Sequence, residues 1–306
     1  MRSQPAPDAP LAPGEPVGYV GLGQMGVPLA ARLVEAGFDV RGYDVGEAAR
    51  AAFAARAGVA AAGSLAGAAA GARVVVLMLP SSAAVDEVLL ADGLLDAVEP
   101  GCLIVDMGSS DPTRTRELAA LAHACGVQLV DAPVSGGVRG AIAGTLAIMV
   151  GGTEEQAAFC RPLLEPLGAT IAHVGPVGAG HALKALNNLL SATTLLASAE
   201  ALLVGRRFGL DPHVMLEVIN GGSGRSYSTE AKLEQFVLSE RFDAGFALRL
   251  MAKDVRTALA LAHATGVETP LSETSAQLWN RAEEELPAGV DHTEIARWLE
   301  QRQAGG

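Results

Sequence analysis

Between Val17 and Gly175 short β-rich runs alternate with Ala-rich helical ones, and after Gly178 the β-rich runs stop. That switch constrains the fold more than any single motif does. The strand candidates are VGYVG, FDVRGYD, RVVVLML, CLIVDM, VQLVDA, TLAIMVGG and TIAHVG, with stretches such as PLAARLVEAG and DPTRTRELAALAHACG between them. Strands separated by helix-length connections pair in parallel, because each crossover returns the chain to the same end of the sheet. RVVVLML is apolar on both faces, as a strand covered by helices on each side must be. The expected class is α/β: a doubly wound, mainly parallel sheet over residues 17–178, then an all-α domain over residues 179–306. The second part opens with a segment from about Gly180 to Phe208 that would be ~44 Å long as one continuous helix. GGSG, FDAG and ELPAG divide the remainder into further helices.

GYVGLGQMG places Gly21, Gly23 and Gly26 at the GxGxxG spacing. A chain with 36 glycines generates that spacing by chance, so the context decides. Here an apolar strand precedes the loop and the helical run VPLAARLVEAG follows it. Gly21 permits the tight turn, Gly23 lets the backbone approach a pyrophosphate, and Gly26 seats the helix close to the strand. Leu22, Gln24 and Met25 complete the candidate cofactor loop. Asp44 ends the next strand candidate about 20 residues on, where a carboxylate accepts hydrogen bonds from the adenosine ribose and repels a 2′-phosphate. The expected cofactor is therefore NAD. Arg41 and Arg50 lie close enough in sequence to keep NADP open, and Asp44 as a plain cap of the following helix is the bland alternative.

The formal net charge of -12 argues against nucleic acid, which wants a basic face. Cys102, Cys125 and Cys160 are scattered and odd in number, which suits reduced thiols in the cytoplasm better than a disulfide framework. The six histidines have no HExxH or CxxC companions, so no metal site is expected. No uninterrupted apolar run reaches a membrane span, and no membrane role is expected. Residues 1–16, MRSQPAPDAPLAPGEP, lack the apolar core of a signal peptide and read as a disordered Pro/Ala leader.

Two segments carry candidate chemistry. DAPVSGGVRGAIAGTLAIMVGG follows a strand, and consecutive N–H groups at Ser135, Gly136 and Gly137 would form a nest for a substrate carboxylate. A plain glycine-rich loop has the same composition. Further along, GHALKALNNLLS sets His181, Lys184, Asn188 and Ser191 on one face of an otherwise apolar helix, with Asn187 at its edge. A solvated face would explain the lysine, but such faces carry long charged side chains rather than asparagines. If this face lines a cleft instead, burial lowers the lysine pKa toward neutrality and makes Lys184 a general acid/base. Asn188, one turn on, would orient the substrate hydroxyl or hold the ammonium.

GYVGLGQMG, DAPVSGGVRGAIAGTLAIMVGG, GAGHALKALNN and LMAKDVRTAL, in that order, closely resemble the 3-hydroxyisobutyrate dehydrogenase family of β-hydroxyacid dehydrogenases, from about Val17 to the C-terminal helices. The resemblance implies a Rossmann domain followed by a helical domain, paired into homodimers or homotetramers through the latter. It implies a catalytic Lys184 and a substrate-positioning Asn188, with Ser135, Gly136 and Gly137 on the substrate carboxylate. Leu79 and Pro80 would lie beneath the adenosine half of the cofactor, and Ser109 and Lys253 would reach it elsewhere. GGSGRSYSTE is similar to a family segment near the substrate, making Arg225 a specificity candidate, with Gly222, Ser223, Tyr227 and Phe246 as further choices. Met107-Gly108-Ser109 departs from the family's usual SST or MSS, so the resemblance supports the nicotinamide-side contact less than it supports the glycine loop.

The expected activity is NAD-dependent hydride transfer on a small 3-hydroxy acid. Tartronate semialdehyde or another short aldehyde acid is the alternative substrate. Imine reductases share the architecture, but by family resemblance they lack the lysine and favour NADPH. A non-catalytic dinucleotide-binding protein would also lack the lysine.

Overall fold

The computed structural model describes residues 10–304. Every strand candidate forms a strand: β1 (Pro16–Val20), β2 (Asp39–Tyr43), β3 (Val74–Leu77), β4 (Leu103–Asp106), β5 (Gln128–Asp131), then a short β6 (Val134–Ser135) that the pattern did not announce, β7 (Leu146–Gly151) and β8 (Gly168–Gly175). They make one sheet in the order β2-β1-β3-β4-β5-β7-β6, with β8 also pairing β7. The pairs are parallel except β5–β7 and β6–β7. The order reverses at β1, with β2 on one side and β3 on the other. In open sheets of this kind that reversal opens a crevice at the carboxyl ends of the strands.

Strand alternation explains why both faces are covered. Val74 and Val76 point into a core shared with Val17, Tyr19, Leu103 and Val105. Val75 and Leu77 point the other way, onto Ile104 and Leu129. With period 2 and no polar alternation, neither face of β3 can be left to water.

Two compact units divide the chain, Met1–Lys184 and Ala185–Gly306. The long helix runs Ala179–Phe208, so the division falls inside it rather than at its start. Its first turn is bonded into the first unit, as described below. In the second unit Ala192, Leu195, Leu196, Ala199, Leu202 and Leu203 of this helix pack with Met251, Trp279, Ile295 and Trp298. At 30 residues, with a best-window mean hydropathy of 1.3, this helix is long and apolar enough to span a membrane by length and composition, contrary to expectation. Its apolar side is the core of the helical unit, and His181, Lys184 and Asn188 break the run as read in sequence.

The expectation of a disordered leader through Pro16 is corrected for residues 10–16; residues 1–9 lie outside the described residues. Leu11 is only 3% exposed and joins the core, which a Pro/Ala composition conceals. Gly14 N–H donates to Gly37 O at 2.8 Å, Glu15 pairs with Arg73, and Pro16 begins β1. Leu11→Ala is therefore expected to lower unfolding free energy by about 2–4 kcal/mol, read from the urea midpoint at unchanged slope. A dispensable leader would leave the midpoint where it is.

Candidate active site

The carboxyl ends of β1, β3, β4 and β5 lie side by side, stitched beyond the strands by Met78 N–H to Val20 O, Met107 N–H to Leu77 O and Ala132 N–H to Asp106 O. Gly21 turns with φ +98°, and a Cβ there would collide with the Met78 carbonyl. At Gly26, first residue of the helix Gly26–Glu35, a Cβ would collide with the Gly21 carbonyl. Gly23 faces open space, with nothing near a Cβ position. Gly23 and Gln24 are exposed, Met25 is half-buried and Leu22 is buried. The loop thus has a packed base and an open tip at a helix N-terminus, the arrangement that accepts a pyrophosphate.

Asp44 closes this loop on one side. Its carboxylate accepts from Leu22 N–H and Gly46 N–H, each at 2.8 Å. Arg50 donates to the carbonyls of Asp44 and Val45, whereas Arg41 is turned to Asp39 and the Ala70 carbonyl. Leu79 lies between the glycine loop and Gly108, and Pro80 beside it is exposed. Ser109 is half-buried in the loop after β4, whose Gly108 N–H and Ser110 hydroxyl both bond the Asp106 carboxylate.

A second carboxylate organises the end of β5. Asp131 is fully buried and accepts from Gly178 N–H at 2.6 Å and His181 N–H at 2.7 Å. Burial pushes its carboxyl above the ordinary range, while His181 and the two N–H groups draw it partly back. Gly180 must lack a side chain, because a Cβ would meet Asp131, Pro133 and the Met149 carbonyl. His181 is itself buried. Thr115 donates its hydroxyl to Asp111 O, so toward His181 it accepts, and Nδ1 carries the proton across the 2.9 Å contact. Nε2 of His181 faces Asp106 Oδ2 at 3.7 Å. The start of the long helix is thereby fixed to the ends of β4 and β5.

One turn on, Lys184 is 9% exposed, and Asn188, one turn further, is 6% exposed. The face is not a solvated one. Asn188 donates its amide to Asp254 Oδ2 at 2.5 Å and accepts from Asn187 at 3.1 Å. Asp254, 1% exposed, also pairs with Lys253 at 3.2 Å. Ser135 and Gly137 are half-buried and Gly136 is exposed, with φ +132° and +62° at the two glycines. Arg225 is an exposed side chain 3.7 Å from Glu230. Tyr227 is exposed, and Phe246 packs edge-on against His292 at 5.8 Å.

Sequence reasoning passed over Asp106, Asp131, Asp254 and Lys232, all buried. Asp131 opens DAPVSGG and Asp254 closes AKD. A carboxylate beginning or ending an otherwise apolar run was the available signal.

A glycine loop at a helix N-terminus, at the switch point of a mainly parallel sheet, is the architecture of a dinucleotide-binding domain. The sequence comparisons narrow this. Residues 16–175 match the model described as the NAD binding domain of 6-phosphogluconate dehydrogenase, and residues 178–299 the one described as NAD-binding of NADP-dependent 3-hydroxyisobutyrate dehydrogenase. A 2-(hydroxymethyl)glutarate dehydrogenase of Eubacterium barkeri is 41% identical, over 86% of this chain and 87% of its own. An NAD-dependent L-serine dehydrogenase of Pseudomonas aeruginosa is 38% identical, over 86% and 90%. The solved structure of Mycobacterium tuberculosis 3-hydroxyisobutyrate dehydrogenase with L-serine superimposes with a TM-score of 0.87 at 36% identity, covering 94% of this chain and 99% of that one. The chain belongs to the 3-hydroxyisobutyrate dehydrogenase family of β-hydroxyacid dehydrogenases, and is an NAD(P)-dependent oxidoreductase.

Asp131→Asn tests the anchoring of the helix. An amide turns an N–H₂ toward one of two backbone donors, so unfolding free energy should fall by about 2–3 kcal/mol. A denaturant midpoint equal to wild type would show that the helix start is held by other means.

Proposed function

We propose that this enzyme interconverts a 2-substituted 3-hydroxypropionate and its semialdehyde, with NAD as the hydride carrier. The observation that carries this reading is the pair Lys184 and Asn188, both more than nine-tenths buried and one turn apart on a single helix. The names of the relatives fit it: 3-hydroxyisobutyrate, L-serine and 2-(hydroxymethyl)glutarate all carry a hydroxymethyl group beside a carboxylate-bearing carbon and differ in the third substituent. Tartronate semialdehyde is the corresponding alternative with a hydroxyl there.

The residues of the glycine loop, Gly21 to Gly26, would hold the pyrophosphate, with Leu79 and Pro80 beneath the adenosine half and Ser109 and Lys253 as further contacts. Asp44, already oriented by two backbone N–H groups, would receive the ribose hydroxyls and disfavour a 2′-phosphate. The bound nicotinamide supplies the hydride acceptor at the carbinol carbon. Ser135, Gly136 and Gly137 would bind the substrate carboxylate through backbone N–H groups. As the neutral amine Lys184 takes the hydroxyl proton while the carbonyl forms; in reduction it starts as the ammonium, stabilises the developing alkoxide by its charge and returns the proton. Asn188, held by Asp254 and Asn187, cannot swing away and so fixes the hydroxyl's position beside Lys184.

Leu186, Leu190 and Val204 stand exposed on the long helix at 42%, 67% and 70%, and we place a homo-oligomer interface there. Free cysteines suit a cytoplasmic setting.

Lys184→Met should reduce kcat about 10³-fold while the NADH dissociation constant, read by fluorescence, moves less than about threefold. The steady-state assay should run NAD and NADP in parallel with several 2-substituted 3-hydroxypropionates. Near-wild-type turnover in the variant would remove Lys184 from the chemistry, and a preference for NADP would remove Asp44 from cofactor choice.

A further inference from the structure

The helical unit holds a second buried lysine that the reaction does not use. Lys232 is 7% exposed, and its ammonium donates to Ser191 Oγ at 2.8 Å and lies 5.6 Å above the ring of Tyr227. Buried lysines are rare, because each requires the ammonium to leave bulk water. The backbone supports this placement. Lys232 sits between the helix Tyr227–Ala231 and a π-helical turn, Leu233–Leu238, with φ -116° and ψ -51°. Single π turns re-aim side chains and recur at functional sites.

Ser191 is what makes the position informative. It lies seven residues beyond Lys184, two turns along the same helix and within about 20° of it around the axis, so the two residues share one face ~10 Å apart. Asn188 stands between them. Lys232 therefore delivers a positive charge to the far end of the face that carries Lys184. Burial, reinforced by the Lys232 ammonium, holds His292 below its ordinary value although Asp291 lies 3.2 Å from its ring. Arg225 is mostly exposed, with Glu230 close by, and water and that carboxylate screen it.

We infer that Lys232 is the specificity-determining residue of this enzyme and that it selects substrates whose 2-substituent ends in a carboxylate. The inference rests on the reaction assigned above to Lys184 and Asn188. With the hydroxymethyl group at Lys184, the substituent points along the helix toward Ser191, and a chain of a few carbons spans the distance. A terminal carboxylate gains a charge-assisted hydrogen bond to Lys232. A methyl group gains nothing there, and an ammonium is repelled. The predicted order is carboxyalkyl above methyl above amino.

Calorimetry on the NADH-loaded protein separates this inference from the reaction itself. Glutarate and valerate have the same carbon chain, and only glutarate has a second carboxylate. Wild type should bind glutarate at least tenfold more tightly than valerate; Lys232→Met should abolish the difference while leaving valerate within twofold, and Lys232→Arg should retain much of it. Equal affinities in wild type, no glutarate binding, or an equal loss for both acids in Lys232→Met would overturn the assignment and leave Lys232 a structural group. Selective glutarate binding without turnover of any 2-substituted 3-hydroxypropionate would sink the reaction and leave the anion site standing. Turnover without glutarate selectivity would do the reverse.

Discussion

The site depends on a buried carboxylate that performs no chemistry. Asp131 ends β5 and holds two N–H groups at the start of the long helix, where backbone donors have no partner within the helix. With those donors satisfied, the helix begins at a fixed place and in a fixed rotation. The azimuth of Lys184 follows from that rotation, because each residue of a helix turns by a set angle. A carboxylate so deeply buried is costly, and its two backbone bonds with His181 beside it offset that cost. This arrangement also accounts for Gly180, whose missing side chain lets the helix approach Asp131.

The cofactor end is built on the same principle with different atoms. Asp44 spends both carboxylate oxygens on backbone N–H groups, one of them in the glycine loop itself. The loop's shape and the group that would read the ribose are therefore one object. Gly21 and Gly26 are required by collisions with carbonyls, whereas Gly23 borders empty space. The three glycines of one motif thus answer to two different constraints, packing below and access above.

Much of the first unit was legible because its signals are local. β3 reads as VVVL, and nothing but a doubly covered strand fits it. GYVGLGQMG carries its turn and its helix start in the spacing of its glycines. The Lys184 and Asn188 face was legible as a stripe, and burial then decided between solvent and site. What stayed hidden depends on residues distant in sequence. Asp131 and His181 are bonded across 50 residues, Asn188 and Asp254 across 66, and Ser191 and Lys232 across 41. Periodicity cannot report such pairs, because it describes one element at a time. Leu11 escaped for another reason: a single apolar residue in a Pro/Ala run has no period at all.

These distant pairs divide the labour of the long helix. Its first turn answers to the strands, through the bonds of Asp131 to the N–H groups of Gly178 and His181, and these fix where Lys184 stands on the helix. Two turns later the same face answers to the helical unit, through Lys232 and Ser191. A substitution at position 232 alters charge at that end without touching the Asp131 bonds. A hydroxymethyl group and its carboxylate are common to every substrate considered for this family, and the third substituent varies. An enzyme that holds the common part by backbone and a fixed lysine, and reads the variable part with a side chain from a separate helix, can change substrate without disturbing its chemistry. Position 232 is where the charge of that third substituent is read.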